Sequence, residues 1–113
     1  MSDLRGASHL QYLYLTTVGR NTGKPREIEI WFVHSEGKLY VLAEHFHDAQ
    51  WVKNIERNPG VQVRLGPDQF EATARVLDET RDQTTWLSVQ QLAREKYGWG
   101  DGLPVEIVID MTR

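Results

Sequence analysis

Between Val18 and Phe32 the chain reads VGRNTGKPREIEIWF, with Arg20, Lys24 and Arg26 set around Gly19, Gly23 and Pro25. Arginine offers a fork of donors, lysine a point charge, and glycine lets backbone N–H groups come close to an anion, so this group suits phosphate or carboxylate. Asn21 and Thr22 add neutral hydrogen-bonding groups. The spacing is not that of a Walker loop. Three residues part the two glycines where that motif has four, Pro25 stands in place of Ser or Thr, and an apolar run follows in place of a helix. A solvated hairpin fits the same residue types, because turns are commonly polar. On this stretch alone both uses stay open.

A second group is Glu44-His45-Phe46-His47-Asp48. His45 and His47 alternate at what reads as the end of a strand and so share a side, but two histidines fall short of the ligand set of a metal site. Hydrogen bonding of one imidazole to a phosphate or a ring carbonyl suits them better. His9 and His34 read as surface residues. Near the C-terminus, REKYGWGDG places Tyr97 and Trp99 where a helix ends. A tyrosine there either packs on the body of the fold or presents its hydroxyl to a ligand. No Ser-His-Asp arrangement is legible and the chain has no cysteine, so neither hydrolase nor thiolate chemistry has its residues.

These residues must be positioned by elements, and the pattern supplies them. His9 to Val18 reads as a strand open to burial on both faces, Ile28 to Val33 as a second, and Leu39 to Ala43 as a third after the Glu36-Gly37 turn. Ile28, Ile30 and Phe32 share one face of the second strand, with Trp31 and Val33 on the other. Asp48 is a candidate N-cap for a helix carrying Trp51, Val52 and Ile55, which Asn58-Pro59 stops. Val61, Val63 and Leu65 mark a fourth strand and Phe70 to Leu77 a fifth. Thr80 with Gln83 has the form of a capping box, and Trp86, Val89, Ala93 and Tyr97 form the core stripe of a second helix ending at Gly98. Pro104 to Ile109 is the sixth strand. Hairpin-linked strands with two helices predict a mainly β, mostly antiparallel barrel or rolled sheet, because the first three strands have no crossover helices between them.

The 113 residues are expected to form a single domain, 1–113, of ordinary globular composition, 40% hydrophobic and 26% charged. A formal charge of -3 argues against generic nucleic-acid binding, which needs a basic surface. No apolar run approaches the ~20 residues that span a bilayer. A cytoplasmic location without stable membrane insertion is the expectation.

LTTVGRNTGKPRE, followed by IWFV, LYVLAE and WVKNIERNPGVQVRLG, closely resembles the deazaflavin-dependent nitroreductase family. The match runs from about Leu15 to Val76, and beyond Thr80 it rests on the order of elements. The resemblance implies a six-stranded antiparallel split β-barrel of the FMN-binding, pyridoxamine-phosphate-oxidase-like type, often a homodimer. It also implies coenzyme F-420, a deazaflavin with a phosphate and an oligoglutamate tail, which gives a hydride to a quinone, nitro or enone-like small molecule. FMN chemistry on the same fold, or a non-catalytic module holding flavin, deazaflavin or haem, are the alternatives. By motif position Arg20, Asn21, Thr22, Gly23, Lys24 and Arg26 would hold the anionic parts of the cofactor, with Glu44, His45 and Trp51 nearby. Trp31 and Tyr97 would line the acceptor pocket, Tyr97 positioning the acceptor or supplying a proton. Two departures stand out: Asn21 where the family commonly has Lys, and Glu44 to His47 in place of a segment rich in small residues.

Overall fold

Leu13 and Leu15 alternate with Tyr12, Tyr14 and Thr16, and this period of two sets the first strand, β1 (Tyr12–Val18), in the computed structural model, which describes residues 10–110. The strand has one buried face, not two: Leu13, Leu15 and Thr17 are fully buried whereas Tyr12 remains 40% exposed. His9, expected to begin this strand and to lie on the surface, falls outside the described residues.

The chain then forms β2 (Pro25–Ser35), β3 (Lys38–Ala43), α1 (Gln50–Arg57), β4 (Gly60–Leu65), β5 (Asp68–Val76), α2 (Gln83–Tyr97) and β6 (Leu103–Ile109). The strands close into a barrel in the order β1-β2-β3-β6-β5-β4, with every neighbouring pair antiparallel. The expected sequence of elements is thus observed. The barrel interior is filled by Leu13, Leu15, Phe32, Leu39, Val41, Val63, Val105 and Ile107, all without solvent exposure. Each such side chain contributes about 1.5–3 kcal/mol by leaving water. A second apolar layer, with Val33, Tyr40, Trp86, Val89, Ala93 and Leu103, fixes α2 against the outside of the barrel, chiefly on β2 and β6. Among the described residues no helix is long and apolar enough to cross a membrane.

Two helix starts differ from expectation. Asp48 does not cap α1. It lies in a short 3-10 turn, Phe46–Asp48, and Ala49 precedes the helix with no side-chain cap. Thr80 and Gln83 form no capping box either, because α2 begins at Gln83 after Asp82. The Asp82 carboxylate instead accepts from the Arg75 guanidinium at 3.0 and 3.2 Å and from the Asp78 N–H at 2.8 Å, which ties the start of α2 to β5. At the other end Gly98 takes φ 79° and its N–H bonds the Arg94 carbonyl at 2.8 Å, the left-handed stop that a glycine makes easily.

The feature that creates the site is the length of β2. Its first part, Pro25 to Trp31, pairs with β1, whereas its last part, Phe32 to Ser35, pairs with β3. Around Phe32 the strand exchanges one partner for the other, and the barrel wall opens beside the first part. Tyr97 is lodged at the exchange. Its hydroxyl accepts the Phe32 N–H at 3.0 Å and lies 2.7 Å from the carbonyl oxygens of both Phe32 and Gln11.

Candidate functional site

The loop between β1 and β2 closes through Gly19, whose N–H reaches the Lys24 carbonyl at 2.8 Å. A Cβ on Gly19 would stand 2.8 Å from Thr22 Oγ1, so a larger residue would displace the Thr22 side chain. The closed loop lies on α1. The Arg20 N–H and Nη1 both donate to Asn54 Oδ1, at 3.1 and 2.9 Å, and Arg20 Nη2 donates to Gln50 Oε1 at 2.7 Å. Asn54 in turn donates to Thr17 Oγ1 at 3.2 Å, within the core. Asn54 is only 5% exposed, so this one amide joins β1, the loop and α1. Among the described residues the partners of the guanidinium, Asn54 and Gln50, are neutral and bring no compensating charge.

Beside this clasp lies a cavity of about 340 Å³, walled by Arg20, Asn21, Thr22, Arg26, Trp51 and Asn54 among others, with no carboxylate among the described residues that line it. Arg26 reaches it because it continues the inward face of Ile28, Ile30 and Phe32 past the rim of the barrel. A second cavity, of about 640 Å³, occupies the opening beside β2. Trp31, Trp51 and Trp99 supply its aromatic walls, and Glu29, Glu44 and His45 its polar groups. Ile28 and Trp51 line both, so the two cavities adjoin across these side chains.

The structure therefore divides the expected site residues. Arg20, Asn21, Thr22 and Arg26 meet at the cationic cavity, Trp31, Glu44 and His45 at the aromatic one, and Trp51 between them. Gly23 and Lys24 form the turn, with Gly23 at φ 72°, and line neither cavity. His45 and His47 do not share a side: β3 ends at Ala43, His45 faces the aromatic cavity, and His47 Nδ1 pairs with Glu56 Oε2 at 3.1 Å. His34 is not a free surface residue, since its Nε2 is buried without a partner.

Tyr97 lines neither cavity. Its ring stacks on Trp31 with centroids 4.4 Å apart and planes 5° from parallel, while its hydroxyl is engaged by the backbone of Phe32 and Gln11. Burial is the main cause that pushes the Tyr97 phenol up from its ordinary pKa, with the Phe32 hydrogen bond acting the other way. Lys96 completes the cluster. Its ammonium donates to the Phe32 carbonyl at 3.0 Å and sits 4.0 Å over the Phe32 ring, and burial lowers its pKa. The hydroxyl thus has no free side for a ligand. The Tyr97 ring instead packs flat on Trp31, which lines the aromatic cavity.

Sequence reasoning passed over Asn54 and Gln50. The signal was present: Asn54 follows Trp51 by three residues, which puts both on one helix face beside Val52 and Ile55, and an amide on such a face needs a buried partner.

An open barrel wall, a cationic loop clasped to a helix and an adjoining aromatic chamber define a split-barrel protein with a candidate site of two adjoining cavities. The family model for F420H(2)-dependent quinone reductases matches residues 4–110, and the chain belongs to that family. The F420H(2)-dependent quinone reductase of Mycobacterium tuberculosis is 29% identical over 66 residues, 56% of this chain and 44% of that protein. The match thus spans less than half the length of that curated relative. Among solved structures, an F420-H2 dependent reductase, FDR-A, superposes with a TM-score of 0.67 at 26% identity, over 89% of this chain and 95% of that one. HutZ, a heme storage protein from Vibrio cholerae, shares the fold with a TM-score of 0.77 at 22% identity, over 94% and 86% of the two chains.

Proposed function

We propose that this chain binds reduced coenzyme F-420 and directs its hydride to a quinone, with nitro and enone-like compounds as further acceptors of the same electrophilic kind. The observation that carries this reading is the junction of the two cavities. A chamber with Arg20 and Arg26, and no carboxylate among the described residues that line it, opens across Trp51 and Ile28 onto a chamber walled by three tryptophans. That junction fits a ligand anionic at one end and flat and aromatic at the other.

When bound, the cofactor supplies the hydride, and the protein supplies position and environment. Arg20 and Arg26 hold the anionic part, Arg20 with its fork already oriented by Asn54 and Gln50. Trp51 and Trp31 confine the ring, and the Tyr97 stack keeps Trp31 from turning into the chamber. The apolar walls limit water around the transferred hydride. A homodimer accords with Tyr12 and Trp31, register partners on the outer face of β1 and β2 that are 40% and 44% exposed. Light scattering at micromolar protein reads that directly.

Titration with coenzyme F-420 and with FMN, followed by fluorescence, tests the assignment. The expected result is F-420 binding well below millimolar, where affinity is only ~4 kcal/mol. Tight FMN with no F-420 binding would reassign the cofactor, and absence of both would sink the reading.

A further inference from the structure

The exchange of partners along β2 leaves part of its backbone unspent. In an antiparallel pair, alternate residues turn their N–H and C=O toward the same neighbour. Two observations at opposite ends of β2 fix which residues face β1. At the loop, Lys24 is bonded by the Gly19 N–H. At the far end, the Phe32 N–H and C=O both meet the Tyr97 hydroxyl, which also bonds Gln11 just before β1. Lys24, Arg26, Ile28, Ile30 and Phe32 therefore face β1, and Pro25, Glu27, Glu29 and Trp31 face away from it. The pairing with β3 stops at Phe32 opposite Val41, so among the described residues no strand pairs with that side of Glu27 or Glu29. Glu29 lines the aromatic cavity, and its carboxylate is turned aside to the Tyr14 hydroxyl at 3.2 Å on the outer surface.

We propose that the N–H and C=O of Glu29, which no described strand takes, are the recognition point for the donor–acceptor edge of a planar heteroaromatic ring held among Trp31, Trp51 and Trp99. The N–H and C=O of one extended residue lie side by side, so a ring with adjacent carbonyl and N–H groups meets both at once. The imide edge of a deazaflavin or flavin has that pattern, so the proposal rests on the cofactor reading above and adds the point at which the ring is read. A pairing strand from another chain is disfavoured by two local features. Pro25 has no N–H to offer, and Glu27 and Glu29 put charge along the edge. The adjoining chamber of about 640 Å³ has room for a ring system.

The experiment compares coenzyme F-420 with the same cofactor carrying a methyl group on the imide nitrogen, using protein labelled with ¹⁵N-glutamate. Methylation removes the ring donor while leaving phosphate and tail intact. The expected result is about tenfold weaker binding of the methylated form, the scale of a lost hydrogen bond. Amide exchange at Glu29 should also slow by about tenfold or more with the unmodified cofactor, as for an amide newly taken into a hydrogen bond. Equal affinities with unchanged Glu29 exchange would overturn this inference while leaving the cofactor assignment standing. Glu29 already protected without ligand, in a dimer, would assign the edge to a second copy and overturn it as well. Failure of F-420 to bind at all would remove both.

Discussion

The two cavities share Trp51 and Ile28 yet are made in opposite ways. The cationic one is a local construction. A turn of seven residues, Gly19 to Pro25, is folded back on a single helix, and its key side chain, Arg20, is tied among the described residues by neutral partners. The aromatic one is an absence in the barrel wall, bounded by the end of β3, the start of α1, the segment after α2 and one edge of β2. Charge and preorganisation define the first. Shape and an unpaired backbone define the second. A single cofactor with a charged end and a neutral ring would be held by two separable contributions, and the chamber walls can be altered one at a time to show it.

The largest effect is expected from Arg20→Ala. It should weaken binding of the complete, phosphorylated cofactor by roughly 1.5–3 kcal/mol, the scale of a charge-assisted hydrogen bond. Binding of the bare deazaflavin chromophore should stay within about twofold, a change of only ~0.4 kcal/mol. Parallel fluorescence titrations check this, and an equal loss on both ligands would mean that the cavities do not act separately.

Tyr97→Phe should do the reverse. The variant keeps the stack on Trp31 but removes the hydroxyl that serves the Phe32 N–H and the carbonyls of Phe32 and Gln11. Leaving that junction unsatisfied should cost about 1–3 kcal/mol of stability, read by urea unfolding. Chromophore affinity should fall with it, because the ring stacked on Trp31 loses its anchor on the backbone of Phe32 and Gln11. The anionic contribution, taken as the ratio of complete cofactor to chromophore affinity, should not move. A proton-donating role for Tyr97 would instead show as a lower turnover with stability and chromophore affinity unchanged.

The same contrast explains what could be read in the sequence. Periodicity and turn residues gave the element order, since Leu13 and Leu15 or Val61, Val63 and Leu65 carry their own period. The anion loop was legible because it is contiguous. The aromatic cavity was legible only in its parts: Trp31, Trp51 and Trp99 are far apart in the chain, and their meeting depends on which strand pairs with which. Nothing local says that β6 inserts between β3 and β5, or that β2 changes partner near Phe32. Local signals also misled where a side chain had a stronger distant partner. Asp82, beside the apparent capping box, is taken by Arg75, and His47, apparently matched with His45, is taken by Glu56.

Salt should separate the cavities without any mutation. Raising ionic strength from about 0.05 M to about 0.5 M shortens the Debye length from over ten to a few ångström, so attraction to exposed phosphate at Arg20 and Arg26 falls. The complete cofactor should bind several-fold more weakly, whereas the neutral chromophore should hold its affinity or gain slightly as apolar burial strengthens. Equal salt dependence for the two ligands would place the anion elsewhere.

The smallest effect is expected from Lys24→Ala, and it is the finest test of the division. Residue types alone give Lys24 the same standing as Arg20, as a cation in a glycine-rich turn. The structure gives it a different place. Its backbone is used, with the carbonyl closing the loop to Gly19 and the N–H donating to Thr22 Oγ1 at 3.2 Å, but its side chain lines neither cavity. Alanine keeps the backbone bonds, so the loop should retain its form. A charge outside the pocket acts only through screened, long-range attraction, so the loss should be below ~0.5 kcal/mol and should vanish at high salt. A loss as large as that of Arg20→Ala would show that the loop closes around the ligand and brings the ammonium in, making the cationic cavity an adaptable clamp where its hydrogen bonds describe a preformed one.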